Sequence, residues 1–152
     1  MRLEAESYGD HETAEFINSS FVPFTCNLHE KAGLFGRFNA AWTPTILVLT
    51  PRAAEVFRIE GYLPKSAFRA HLEMARARVA FMTKQFADAE ARYEALSTEP
   101  LFEPEAMYWS AVSRYSASHD SSHLQKVARE LRESFPGAIW TIKSSVWLPA
   151  GG

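Results

Sequence analysis

Apolar and polar positions follow two different periods along this chain. Up to about Gly61, helical stretches alternate with strand-like runs; from Leu63 onward the spacing is helical throughout. Asp10 is predicted to cap a helix with Glu12 in its first turn and Ala14, Phe16 and Ile17 on its apolar side. Phe21-Val22-Pro23-Phe24-Thr25-Cys26 reads as a strand of aromatic and β-branched residues. Pro23 must sit near its start or at an unpaired position, because it has no N–H to donate. Residues Glu30 to Asn39 read as a short helix with Ala32, Leu34, Phe35 and Phe38 apolar, weakened by two glycines. Thr45-Ile46-Leu47-Val48-Leu49-Thr50 is near-continuously apolar, the pattern of a strand covered on both faces. Pro51 then turns the chain into Glu55-Val56-Phe57-Arg58-Ile59-Glu60, a hairpin that ends at Gly61. The expectation is an α/β unit of about three strands.

The second half is predicted to be all helix. Pro64 suits a first helical position, and Phe68, Leu72, Ala75 and Val79 keep helical spacing behind it. A helix is expected from Phe86 to Leu96, and the two prolines of Glu99-Pro100-Leu101-Phe102-Glu103-Pro104 break the pattern. Further helices are expected from Glu105 to Tyr115, from Ser121 to Phe135, and from Ala138 to Ser145 after the Pro136-Gly137 turn. A weak repeat runs through them. Tyr108, Ala111, Val112 and Tyr115 fall on first-helix positions of a tetratricopeptide repeat, and Pro136 falls where that motif ends. An offset of about 35 residues puts Ala77, Ala89 and Tyr93 on matching positions, although Leu124 and Ala128 depart from the pattern. The region is read as all-α and tetratricopeptide-like, with Tyr108 and Tyr115 as structural positions. The expected division is residues 1–82 and 83–152, the second sharing the helix that precedes it.

Composition narrows the chemistry. Cys26 is the single cysteine in 152 residues, so an internal disulfide, a CxxC pair and a four-cysteine zinc site are all excluded for this sequence. Eighteen acidic groups against sixteen basic ones leave a net charge of −2, which argues against a nucleic-acid or anionic-membrane binder. The apolar run around Thr45–Leu49 is too short to span a bilayer, and no apolar run follows Met1-Arg2-Leu3-Glu4. A cytoplasmic protein is the expectation. There is no GxSxG elbow, no phosphate-binding glycine loop and no HExxH, and His71-Leu72-Glu73 lacks the Pro-Cys-x-x-Cys of a zinc deaminase. His119 and His123 are four apart but lack a third ligand, and Asp120-Ser121-Ser122 between them looks like a helix cap. Glu4, Glu6, Glu12 and Glu15 read as solvated helix faces, and Arg69, Arg76 and Arg78 as surface. No cofactor and no metal is expected.

The first half resembles the thioredoxin family. Trp42-Thr43-Pro44-Thr45 ahead of an apolar strand looks like that family's cis-proline loop, and the next strand with Gly61 looks like its closing hairpin. Upstream, Leu3-Glu4-Ala5-Glu6-Ser7-Tyr8, Glu15-Phe16-Ile17-Asn18 and Phe21-Val22-Pro23 are similar to the segment that follows the family's catalytic cysteine pair. Residues 1 to about 75 are covered. The resemblance implies that Thr43 and Pro44 form a substrate-binding edge, with Thr43 offering its backbone to a peptide as an added strand. It also implies that Gly61 has a structural role and that Cys26 is a small, inert core residue in mid-strand.

The resemblance also implies what this sequence does not contain. The family's central strand and its CxxC would lie before Met1, with Arg2 beside the second cysteine. Thiol–disulfide exchange needs two thiols, one to attack and one to resolve the mixed intermediate, and Cys26 cannot replace them. The expectation is a redox-inactive chain related to thiol–disulfide oxidoreductases. Two readings stay open: a sequence that continues upstream, or a degenerate module that kept its scaffold to bind a protein or peptide. In either, the Phe21–Cys26 and Thr45–Thr50 strands must pair directly or keep open edges that invite self-association.

Overall fold

The computed structural model describes residues 10–27, 29 and 31–149. In order come α1 (His11–Ser20), α2 (Ala32–Arg37), β1 (Thr45–Leu49), β2 (Glu55–Glu60), α3 (Lys65–Met82), α4 (Phe86–Leu96), α5 (Glu103–Ser118), α6 (Ser122–Ser134) and α7 (Ile139–Ser144). A 3₁₀ turn over Ser145–Trp147 follows. The chain forms two compact units, residues 1–71 and 72–152, and the division falls within α3. The resemblance over Arg2 to Tyr8, the acidic positions Glu4 and Glu6, and the helix start at Glu30 lie outside the described residues.

In the first unit, Asp10 caps α1 as its sequence position requires. Its carboxylate accepts from Thr13 N–H and Thr13 Oγ1, both at 2.9 Å, and pairs with Lys65 Nζ at 2.8 Å. Lys65 first, then the two Thr13 bonds, hold the Asp10 carboxyl at about 2, below its usual range. The helix presents Thr13 and Phe16 to the interior, and Arg69 lies over the Phe16 ring at 4.6 Å.

β1 and β2 form an antiparallel hairpin, the one ladder among the described residues, with Ile46 opposite Ile59 and Val48 opposite Phe57. Val48 and Ile59 are buried, and Phe57 meets the His71 ring of α3 edge-on. The connection closes with Thr50 N–H donating to the Ala54 carbonyl and Ala53 N–H to the Thr50 carbonyl, both at 2.8 Å. Ala53 sits at φ 58°, a conformation in which a Cβ is crowded. Ala53→Gly is therefore expected to stabilise the first unit by about 0.5–1 kcal/mol, read as a rise in the urea midpoint; a fall would show that the turn tolerates the Cβ.

The expected third strand is not formed. Phe21–Cys26 runs without a ladder, and Val22 and Phe24 are 97 % and 69 % exposed. A strand exists only where its N–H and C=O groups meet a partner, and β1 takes no partner but β2 here; Pro23 also removes a donor. Among the described residues the sheet therefore has two strands rather than three.

In the second unit, α4 packs on α5, α5 on α6, and α6 on α7. Small residues make these approaches close: Ala89 and Ala106 are fully buried, and Ala111 and Ala128 nearly so. Helix α5 starts at Glu103, earlier than its sequence pattern suggests, because Pro104 falls in the first turn, where its missing N–H has no intrahelical role. Thr141 finishes α6 by donating to the carbonyls of Leu131 (3.1 Å) and Phe135 (2.6 Å).

Candidate functional site

The loop between α2 and β1 is built by contacts at both ends. Asn39 turns the chain out of α2 at φ 49°, a conformation asparagine tolerates better than most residues. Arg58 of β2 then holds the start of the loop, donating from Nη2 to the Phe38 carbonyl at 2.6 Å and from Nη1 to the Asn39 carbonyl at 3.4 Å. At the far end, Thr45 Oγ1 donates to the Trp42 carbonyl at 2.6 Å and Gly61 N–H donates to the Pro44 carbonyl at 2.8 Å. Gly61 adopts φ 86°, which only glycine accepts without strain. The Thr43–Pro44 peptide bond is cis. Between the two anchors Trp42 is 68 % exposed and Thr43 is exposed as well.

The electrostatics of this corner belong to Arg58. Its guanidinium takes Glu55 in two bonds, at 2.8 and 2.6 Å, and Glu60 at 3.3 Å. Hydrogen bonding to these carboxylates raises the guanidinium further above neutrality, and Arg58 in turn lowers Glu55. Sequence reading did not single out Arg58. The signal was there in Glu55, Arg58 and Glu60, three charges on an otherwise apolar strand, but its target is a loop some twenty residues upstream.

Cys26 is half-buried in the unpaired Phe21–Cys26 segment rather than in mid-strand, and the next helix, α2, begins at Ala32. His119 and His123 do not share a helix face: His119 ends α5 in the left-handed conformation at φ 57°, and His123 lies in the next helix. Asp120 accepts from Ser122 N–H and Oγ ahead of α6, while Ser121, in the N-cap position, makes no side-chain cap bond. Among the described residues, no three His, Cys, Asp or Glu side chains gather as a metal site. Glu12 is occupied by Arg69 at 2.9 Å and Lys65 at 3.5 Å, and lines a shallow groove of about 630 Å³ with Glu15, Phe16 and Arg69. No described helix is long and apolar enough to cross a membrane.

The second unit gathers the aromatic residues of its helices. Trp109 contacts Phe81, Tyr93, Tyr108 and Trp140, and Tyr108 stacks on Trp147 with ring centres 4.6 Å apart. Arg78 lies over Trp109 and Lys143 over Trp140. Tyr108 is half-buried within this cluster, whereas Tyr115 is 37 % exposed and meets only the His119 ring edge-on among these contacts. Burial raises the Tyr93 and Tyr108 hydroxyls, and it raises the Glu105 carboxyl too, with Arg78 and Lys143 opposing.

A carboxyl raised in the folded state binds its proton more tightly there than when unfolded. Its penalty is absent below the ordinary value of 4.5 and grows as pH rises through the folded value. Glu105→Gln is therefore expected to be more stable than the parent at neutral pH, with the advantage gone below pH 4.5. Urea midpoints across that range check this, and a variant less stable at pH 7 would contradict it.

A model of the thioredoxin-like domain family matches residues 1–76. No curated protein and no solved structure matches the chain.

Proposed function

Given that this chain belongs to the thioredoxin-like domain family, we propose that it is a relative of the thiol–disulfide oxidoreductases and that these 152 residues do not themselves exchange disulfides. One observation carries the reading: the sequence holds a single thiol, Cys26, and that thiol lies in an unpaired segment outside any helix. Exchange proceeds through a mixed disulfide that a second thiol must resolve. With one thiol, attack on a substrate disulfide ends at a mixed disulfide that the chain cannot itself resolve, so release of Cys26 falls to a thiol from outside, and the chain adds no resolving step of its own. Insulin reduction with dithiothreitol as the electron source tests this. The chain is expected to match the uncatalysed rate, and turnover that disappears in Cys26→Ser would overturn the proposal.

A second reading is a non-catalytic protein or peptide interaction module, in which the Thr43–Pro44 edge and a tetratricopeptide-like helical unit bind the partner. Its support is the exposed Trp42–Thr43 pair on a loop anchored at both ends, since a preformed edge binds an extended peptide at lower entropic cost. Peptides selected by display on the wild-type chain are expected to bind Thr43→Pro about tenfold more weakly, a difference of about 1.4 kcal/mol. Unchanged affinity would remove this reading and leave the first intact.

A further inference from the structure

The Arg58 guanidinium makes as many contacts as it has N–H groups. Nε and Nη2 take the two oxygens of Glu55, and Nη1 takes Glu60. The others leave the strand altogether, Nη2 for the Phe38 carbonyl at 2.6 Å and Nη1 for the Asn39 carbonyl at 3.4 Å. The two carboxylates orient the fork, and the fork holds the loop. A lysine in its place brings fewer donors on a compact charge and cannot serve carboxylates and carbonyls together.

Side chains alternate along β2. Ile59 is buried and Phe57 meets His71 of α3, so Arg58 turns to the other face of the hairpin, where Leu47 lies opposite it and Thr45 lies opposite Glu60. Thr45 shares that face, and its Oγ1 holds the Trp42 carbonyl at 2.6 Å, while Gly61 N–H holds the Pro44 carbonyl at 2.8 Å. These two fasten the end of the loop nearest the proline. At its start, Ala40 N–H donates to the Phe35 carbonyl at 2.9 Å, which fastens the loop to α2; Arg58 fastens it to the hairpin.

We infer that Arg58 is the positioning residue of the Thr43–Pro44 edge. It does not touch a bound peptide; it sets the affinity of the edge by fixing the start of the loop against the hairpin before the peptide arrives. The inference rests on the reading of that edge as a peptide-binding surface. With the start released, residues 40–43 must be ordered at the moment of binding, and that lost entropy is subtracted from the affinity.

Peptides selected by display on the wild-type chain test this, with affinity and urea midpoint measured side by side. Arg58→Lys is expected to bind them about tenfold more weakly, because the loop must then be ordered on binding. Glu60→Gln takes a charge from Arg58 and leaves both carbonyl contacts, so its affinity should stay within about twofold. Val48→Ala lowers the urea midpoint from the other face of the hairpin and should also leave affinity unchanged. Thr43→Pro weakening with Arg58→Lys unchanged would overturn the inference and leave the peptide reading standing. Equal losses of affinity in Arg58→Lys and Val48→Ala would overturn it too, since Arg58 would then act through stability alone. Unchanged affinity in both Thr43→Pro and Arg58→Lys would remove the peptide reading and this inference with it. If Arg58→Lys does not fold, nuclear magnetic resonance on the unmodified chain decides. The Arg58 Nε and Nη protons are expected to hold their shifts as peptide saturates the edge, while the Thr43 amide moves. Arg58 protons that move as far as Thr43 would show a loop formed around the peptide rather than ahead of it, and would overturn the inference.

Discussion

Phe68→Ala is expected to destabilise the first unit by about 3–5 kcal/mol, the usual cost of emptying a buried aromatic site. Phe68 is 1 % exposed, on the first turns of α3. Alanine is the better helix former, so none of the loss comes from the helix itself; it is all lost packing. Whole domains are stable by about 5–15 kcal/mol, and a two-stranded hairpin is marginal without a layer packed on it. The variant should therefore lose most of its amide protection at Val48 and Ile59, the buried residues of the hairpin. Phe68→Leu keeps most of the volume and should lose less than half as much. A shift below about 1 kcal/mol for the alanine variant would mean that the hairpin draws its stability from elsewhere.

Leu131→Ala is expected to cost the second unit about 2–5 kcal/mol in urea unfolding. Leu131 is fully buried on α6, and its carbonyl accepts from Thr141 at 3.1 Å, so the same turn both fills the interhelical core and fixes the start of α7. The empty volume should loosen Trp140, next to Thr141, and weaken the near-ultraviolet circular dichroism of the aromatic cluster. Leu131→Met keeps the volume and should cost less than about 1.5 kcal/mol. An alanine variant with an unchanged midpoint and unchanged aromatic signal would contradict the placement of Leu131 in the core.

Much of this architecture was legible residue by residue. The α4 boundaries, the Asp10 cap and the hairpin from Thr45 to Glu60 follow from local spacing, capping chemistry and β-branched runs, interactions that span a few residues and are written in adjacent positions. The family resemblance was legible for a related reason: Trp42-Thr43-Pro44-Thr45 before an apolar run, then Gly61, is an ordered local pattern, and the family match over residues 1–76 covers it.

What failed was longer in range. Phe21–Cys26 has strand chemistry in every residue but one and still forms no strand, because pairing is a property of two segments and only one of them is in the reading frame of local propensity. Arg58 looked like one charge among three on a strand, and its hold on the Phe38 and Asn39 carbonyls appears only once β2 is folded beside the α2–β1 loop.

By itself, then, the sequence determined where this chain turns helical, where it turns back as a hairpin, which family it resembles and that it brings one thiol. Local sterics and capping set the first two, and residue identity sets the others. The tertiary structure alone decided that Phe21–Cys26 joins no ladder among the described residues and that Arg58 braces the Trp42–Pro44 loop. Each of those depends on groups far apart in the chain meeting, or failing to meet, across hydrogen-bond distance.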